Sequence, residues 1–154
     1  MFRPYLLLFI CAISVGACTS GLETIGTISI TQFSYDTLIP RQVTLNLSKG
    51  DVVEVWNDMS IESRQKNEVQ IHYGLERYIN GESKGGLKLD ALKTNPTIPG
   101  TKQRARGRLS LSFQGKLTYI NIEETGKYTF KSALFSSDQD LIIHRAKLIF
   151  KKQQ

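Results

Sequence analysis

The amino-acid sequence predicts an all-β protein: an antiparallel β-sandwich of about eight strands, with jelly-roll or immunoglobulin-like topology, behind an N-terminal signal peptide. Three observations carry this. From Thr27 onward the apolar residues recur with period two, the segments between them are rich in turn formers, and the turns leave runs of strand length. A chain of 154 residues has room for one core, and at that size a domain needs neither metal nor disulfide for stability.

The elements follow in order. Gly26 to Phe33 reads as a first strand with Ile28 and Ile30 on one face, and Val43-Thr44-Leu45-Asn46-Leu47 alternates cleanly. Lys49-Gly50-Asp51 turns the chain into Val52 to Trp56, and Val69 to Tyr73 alternates again. Leu109 to Phe113 leads through Gln114-Gly115-Lys116 into Leu117 to Ile122, which reads as a hairpin. Glu123-Glu124-Thr125-Gly126 makes a turn before Tyr128 to Phe130, and Leu141 to Phe150 closes the chain. Between these lies a stretch of mixed signal. Leu75, Tyr78 and Ile79 have helical spacing, Leu87, Leu89 and Leu92 fit either period, and Thr94 to Gly107 reads as a long loop.

The segment Glu124-Thr125-Gly126-Lys127-Tyr128-Thr129-Phe130 resembles the tyrosine corner of immunoglobulin-like domains, with Phe130 where a cysteine would stand. The same corner opens strands in other sandwiches, so the resemblance implies a sandwich of either topology. It also implies that the Tyr128 hydroxyl bonds backbone while its ring packs in the core.

The chain opens with Met1-Phe2-Arg3-Pro4, one positive charge, followed by the mostly apolar run Tyr5 to Val15. This is signal-peptide anatomy, and the run is too short to cross roughly 30 Å of hydrocarbon as a helix. It ends in Val15-Gly16-Ala17-Cys18, which resembles the lipobox of bacterial lipoproteins: a branched apolar residue and two small ones before a lipid-bearing cysteine. The resemblance implies cleavage before Cys18, lipid on its thiol, and stable anchoring, since two or more acyl chains hold where one does not. Thr19 stands where an Asp would signal inner-membrane retention, so the resemblance implies the outer membrane, and Ser20-Gly21-Leu22-Glu23 lacks the acidic cluster of surface export, which implies its periplasmic face. The chain also resembles small β-sandwich lipoproteins of Gram-negative envelopes, a likeness that implies an address and no activity. The expected division is therefore signal peptide 1–17, lipid-linked tether 18–26 and sandwich 27–152. From Thr19 to Gly26 the tether reaches at most about 27 Å, which keeps the domain over its membrane.

Candidate chemistry is sparse. The chain has two cysteines, Cys11 in the leader and Cys18 committed to lipid, so no thiol nucleophile or disulfide framework is expected. Two histidines without metal-ligand spacing predict no metal site and no cofactor, and no GxSxG motif is present. His72 reads as an exposed strand residue, whereas His144 is in phase with Ile142, Ala146 and Leu148 and so either faces the core or marks a bulge. The aromatic residues Trp56, Tyr73 and Tyr78 form a candidate platform for a sugar ring or peptide, the competing reading being that Trp56 anchors the core. Lys102, Arg104, Arg106 and Arg108 place four positive charges at alternate positions in a chain of net charge +6. They form a candidate contact for an anionic membrane surface, the competing reading being a solvated loop. Export makes nucleic acid an unexpected partner. The expected role is a non-catalytic accessory or scaffold module contacting a protein of the envelope, with glycan or lipid binding as the alternative.

Overall fold

The computed structural model describes residues 21–30, 39–64, 69–105 and 107–154, with 96–99 by backbone alone. The leader, Cys18, Arg106 and the end of the first expected strand, beyond Ile30, lie outside the described residues. Among the described residues all regular structure is strand: β1 (Leu22–Ser29), β2 (Arg41–Leu47), β3 (Val52–Ser63), β4 (Ile71–Ile79), β5 (Glu82–Asp90), β6 (Asn95–Ala105), β7 (Arg108–Asn121), β8 (Gly126–Ser136) and β9 (Ile142–Gln153).

These strands form two antiparallel sheets, a five-stranded one in the order β1-β9-β3-β7-β6 and a four-stranded one in the order β2-β8-β4-β5. The pairings β1 with β9, β2 with β8 and β3 with β7 are nested, so the chain behaves as one long hairpin wound around a core. That is the jelly-roll order, with β6 added at one edge. An immunoglobulin-like sandwich is excluded because its first two strands share a sheet, and here β1 and β2 lie in opposite sheets. The β1 strand begins at Leu22, ahead of the expected boundary at Thr27.

Alternation fills the space between the sheets. Val53, Val55, Met59 and Ile61 of β3 meet Tyr73 and Leu75 of β4, Tyr128 and Phe130 of β8, and Leu148 and Phe150 of β9. Phe130 stacks between Tyr128, at 6.2 Å, and Phe150, at 4.8 Å, so rings from both sheets form the centre of the core. The Tyr128 hydroxyl donates to the Glu124 carbonyl at 2.7 Å, the tyrosine corner expected from the sequence.

Three local expectations are corrected. The expected hairpin at Gln114-Gly115-Lys116 is absent, because β7 continues through it, with Gly115 opposite Asn57 and a register shift that leaves Leu117 as the extra residue. The helical spacing of Leu75, Tyr78 and Ile79 belongs to the second half of β4, held between β8 and β5. Thr94 to Gly107 is mostly the edge strand β6, and the chain reverses earlier at Asn80-Gly81, between β4 and β5, with φ of 50° and 93°. Those two positive φ values are those of a type I′ turn, which matches strand twist and favours Asn-Gly. His144 marks a bulge: Arg145 pairs with Ser60 and Ile143 with Ile61, leaving the imidazole exposed 3.1 Å from Glu62.

Candidate functional site

The candidate aromatic platform is not assembled, because alternation sends its three members to three layers. On β3, Val53, Val55, Asn57 and Met59 face inward, so Trp56 lies on the outer face of the five-stranded sheet with Glu54 and Asp58. There Trp56 is nonetheless 8 % exposed. Its indole Nε1 donates to Glu54 Oε2 at 2.7 Å, and the Lys151 ammonium sits 4.1 Å above the ring centroid. Lys116, opposite Trp56 on β7, reaches back to Glu54 at 3.3 Å. Trp56 is therefore neither a core anchor nor an open platform, but a nearly covered ring with the Lys151 ammonium over its face.

Tyr73 faces the other way, fully buried between the sheets, and its hydroxyl donates to Asn57 Oδ1 at 2.8 Å. Asn57 Nδ2 in turn donates to the Ala91 carbonyl at 2.9 Å. This buried chain ties β3 to β4 and to the turn after β5, and it leaves neither side chain with an orphaned polar atom. Burial, with a smaller contribution from the Asp58 charge, pushes the Tyr73 hydroxyl far above its ordinary range, so it stays a donor at any physiological pH. Tyr78 points to the outer face of the four-stranded sheet, donating to Glu76 at 2.9 Å beneath the Lys131 ammonium at 4.5 Å.

The basic cluster is also divided. Lys102 and Arg104 of β6 pair with Leu111 and Leu109 of β7, which share the inward face, whereas Arg108 pairs with Ala105 after the turn and takes the opposite face. Alternate positions share a face only within one strand, and the turn between Ala105 and Arg108 breaks the phase. Arg106 lies outside the described residues. Because β6 extends past the four-stranded sheet, Lys102 and Arg104 rim a groove of about 570 Å³ floored by Leu109, Leu111 and Phe113. The hairpin adjoins Ser63, at the far end of β3 from Val53, where β1 enters the sheet. That end-to-end distance is about 33 Å.

A second groove, of about 490 Å³, opens on the outer face of the four-stranded sheet. Gly74, Gly86 and Ala133 give it a low floor, Phe135 a wall, and Lys88 and Lys131 a cationic rim. The His72 imidazole stacks on Phe135 with centroids 5.0 Å apart and rings 4° from parallel. Desolvation at this half-buried position, then the Lys88 charge, holds His72 below the ordinary histidine range, partly offset by Asp90. Sequence reading missed this groove. Its signal was the small residues at outward positions of β4, β5 and β8, which becomes legible only once β5 is known to be a strand.

Among the described residues no group of three His, Cys, Asp or Glu side chains converges as a metal site. The buried Asp138 accepts from the Ser63 hydroxyl and, through Oδ1, from the Asp140 amide at 2.9 Å. Asp138 thereby closes the loop before β9 over the end of β3. Cys18, the candidate lipidation site, lies outside the described residues. In comparisons with known proteins, no protein-family model matches this chain and no curated protein sequence does.

Proposed function

We propose that the protein is a lipid-anchored, non-catalytic lipoprotein of the bacterial envelope, cut before Cys18 and held at the outer membrane facing the periplasm. There its sandwich serves as an accessory or scaffold module for a protein partner. The observation that carries this is Val15-Gly16-Ala17-Cys18 at the end of an apolar run, with only Thr19-Ser20-Gly21 between the cysteine and Leu22, the first residue of β1. From Cys18 to Leu22 the chain reaches at most about 14 Å, so an acylated Cys18 holds the sandwich against the bilayer. Metabolic labelling with a palmitate analogue and membrane fractionation test this. Label and outer-membrane retention are expected in the wild type and absent in Cys18→Ala, and an unlabelled wild type overturns the reading.

The groove beside Phe135 favours a second reading, in which the same tethered module binds a glycan or lipid. Its volume falls within the range of small-molecule sites, and it combines an apolar wall with a few polar groups. A thermal shift with envelope sugars that disappears in a folded Phe135→Ala variant is the expected outcome.

A further inference from the structure

The geometry points to the outer face of the five-stranded sheet, at the end where the chain leaves for Cys18, as the surface that seats on the phospholipid bilayer. This inference rests on the lipid anchor proposed above. Three of the five large apolar side chains exposed among the described residues gather there: Leu22 at 43 %, Val52 at 44 % and Tyr119 at 60 %. The register puts them together. Thr24, Lys151, Glu54 and Tyr119 form one row across β1, β9, β3 and β7. Leu22 and Val52 stand two residues further toward the same end and so share its face.

The charge on this face suits anionic headgroups. Toward this end its carboxylates are taken up, Glu54 by Lys116 at 3.3 Å and Asp58 by Arg145 at 2.7 Å, and Asp51 at the adjoining turn by Lys152 at 3.2 Å, while Glu62, at the far end of the face, meets His144. Lys147 and Lys151 form no ion pair among the described residues, and Lys151 instead lies over Trp56. Exposed apolar side chains flanked by uncompensated lysines are what an interfacial surface needs. The covalent constraint selects the occupant: a tether of about 14 Å brings this end to the bilayer before any other part of the sandwich. The basic hairpin at Arg104 and Arg108, by contrast, adjoins the opposite end of the sheet.

Single cysteines introduced by Val52→Cys, Tyr119→Cys and, as a control on the other sheet, Leu87→Cys are spin-labelled in the lipidated protein. The protein is purified from membranes and reconstituted in phosphatidylethanolamine and phosphatidylglycerol vesicles. Collision with a water-soluble nickel chelate is expected to fall several-fold at 52 and 119, with oxygen collision rising, while position 87 stays open to nickel. Equal nickel access at all three sites, on vesicle-bound protein whose N-terminal peptide carries acyl mass on Cys18, overturns the face and leaves the anchor standing. An N-terminal peptide with unmodified Cys18 and no vesicle binding overturns the anchor and the face with it.

Discussion

At the residue scale, the Asn57–Tyr73 pair shows how one polar contact can fix the relation of two sheets. Tyr73→Phe removes the donor to Asn57 Oδ1 and leaves that oxygen buried, at a cost of about 1–3 kcal/mol. Asn57→Ala also strands the Ala91 carbonyl and opens a cavity, so it is expected to cost more, and the double variant less than the sum. Urea unfolding followed by circular dichroism measures all three. At the corner, Tyr128→Phe keeps the ring in the core and loses only the bond to Glu124, so about 1 kcal/mol is expected by the same measurement. His72 gives the pH dependence. Its folded-state proton affinity is lowered, so the unfolded chain takes up the proton first, and stability is full above the ordinary histidine value and declines as pH falls through it. The melting temperature should therefore drop from pH 7 to pH 5, and His72→Asn should flatten that slope.

At the element scale, backbone conformation decides where the chain reverses. Asn80 and Gly81 both sit at positive φ, and Gly81→Ala places a side chain where L residues are strained, an expected loss of about 1–3 kcal/mol in the same unfolding assay. Gln114-Gly115-Lys116 has a turn's composition without a turn's conformation. Its glycine is an interior strand residue opposite Asn57, and the adjoining irregularity is absorbed as a bulge at Leu117. The edge strand β6 approaches β7 so closely at Gly100 that an added Cβ would collide with the Ser112 carbonyl oxygen and with Phe113. Gly100→Val should therefore detach or shift this edge and alter the groove beneath Lys102 and Arg104, detectable as faster amide exchange along β6 and the facing part of β7.

At the scale of the whole molecule, nested pairing brings the two ends of the sandwich chain together, β1 against the end of β9, and sends the β6–β7 hairpin to the opposite pole. On the seating proposed above, the anionic-surface contact falls to Lys147 and Lys151 rather than to the arginines. With a spin label at Val52 in the lipidated protein, Lys147→Gln together with Lys151→Gln should reopen the site to the nickel chelate on anionic vesicles. Gln at Lys102, Arg104 and Arg108 should leave it closed. The reverse pattern would return the contact to the hairpin.

The sequence by itself determined the local physics. Period-two alternation named most strands, Glu124 to Phe130 named the corner, and the apolar leader with its cysteine supplied the proposed address. These signals are legible because each depends on neighbours within a few residues along the chain. Only the tertiary structure decided the jelly-roll order, because nested pairing joins residues as remote as Leu22 and Gln153, and alternation is the same in either topology. It also decided the candidate sites. Trp56, Tyr73 and Tyr78 look adjacent in a list of aromatics, yet a strand sends successive side chains to opposite faces, and a single bulge or turn inverts that phase for everything beyond it. The exposed apolar patch has the same origin: Leu22, Val52 and Tyr119 come together only through the register of four strands.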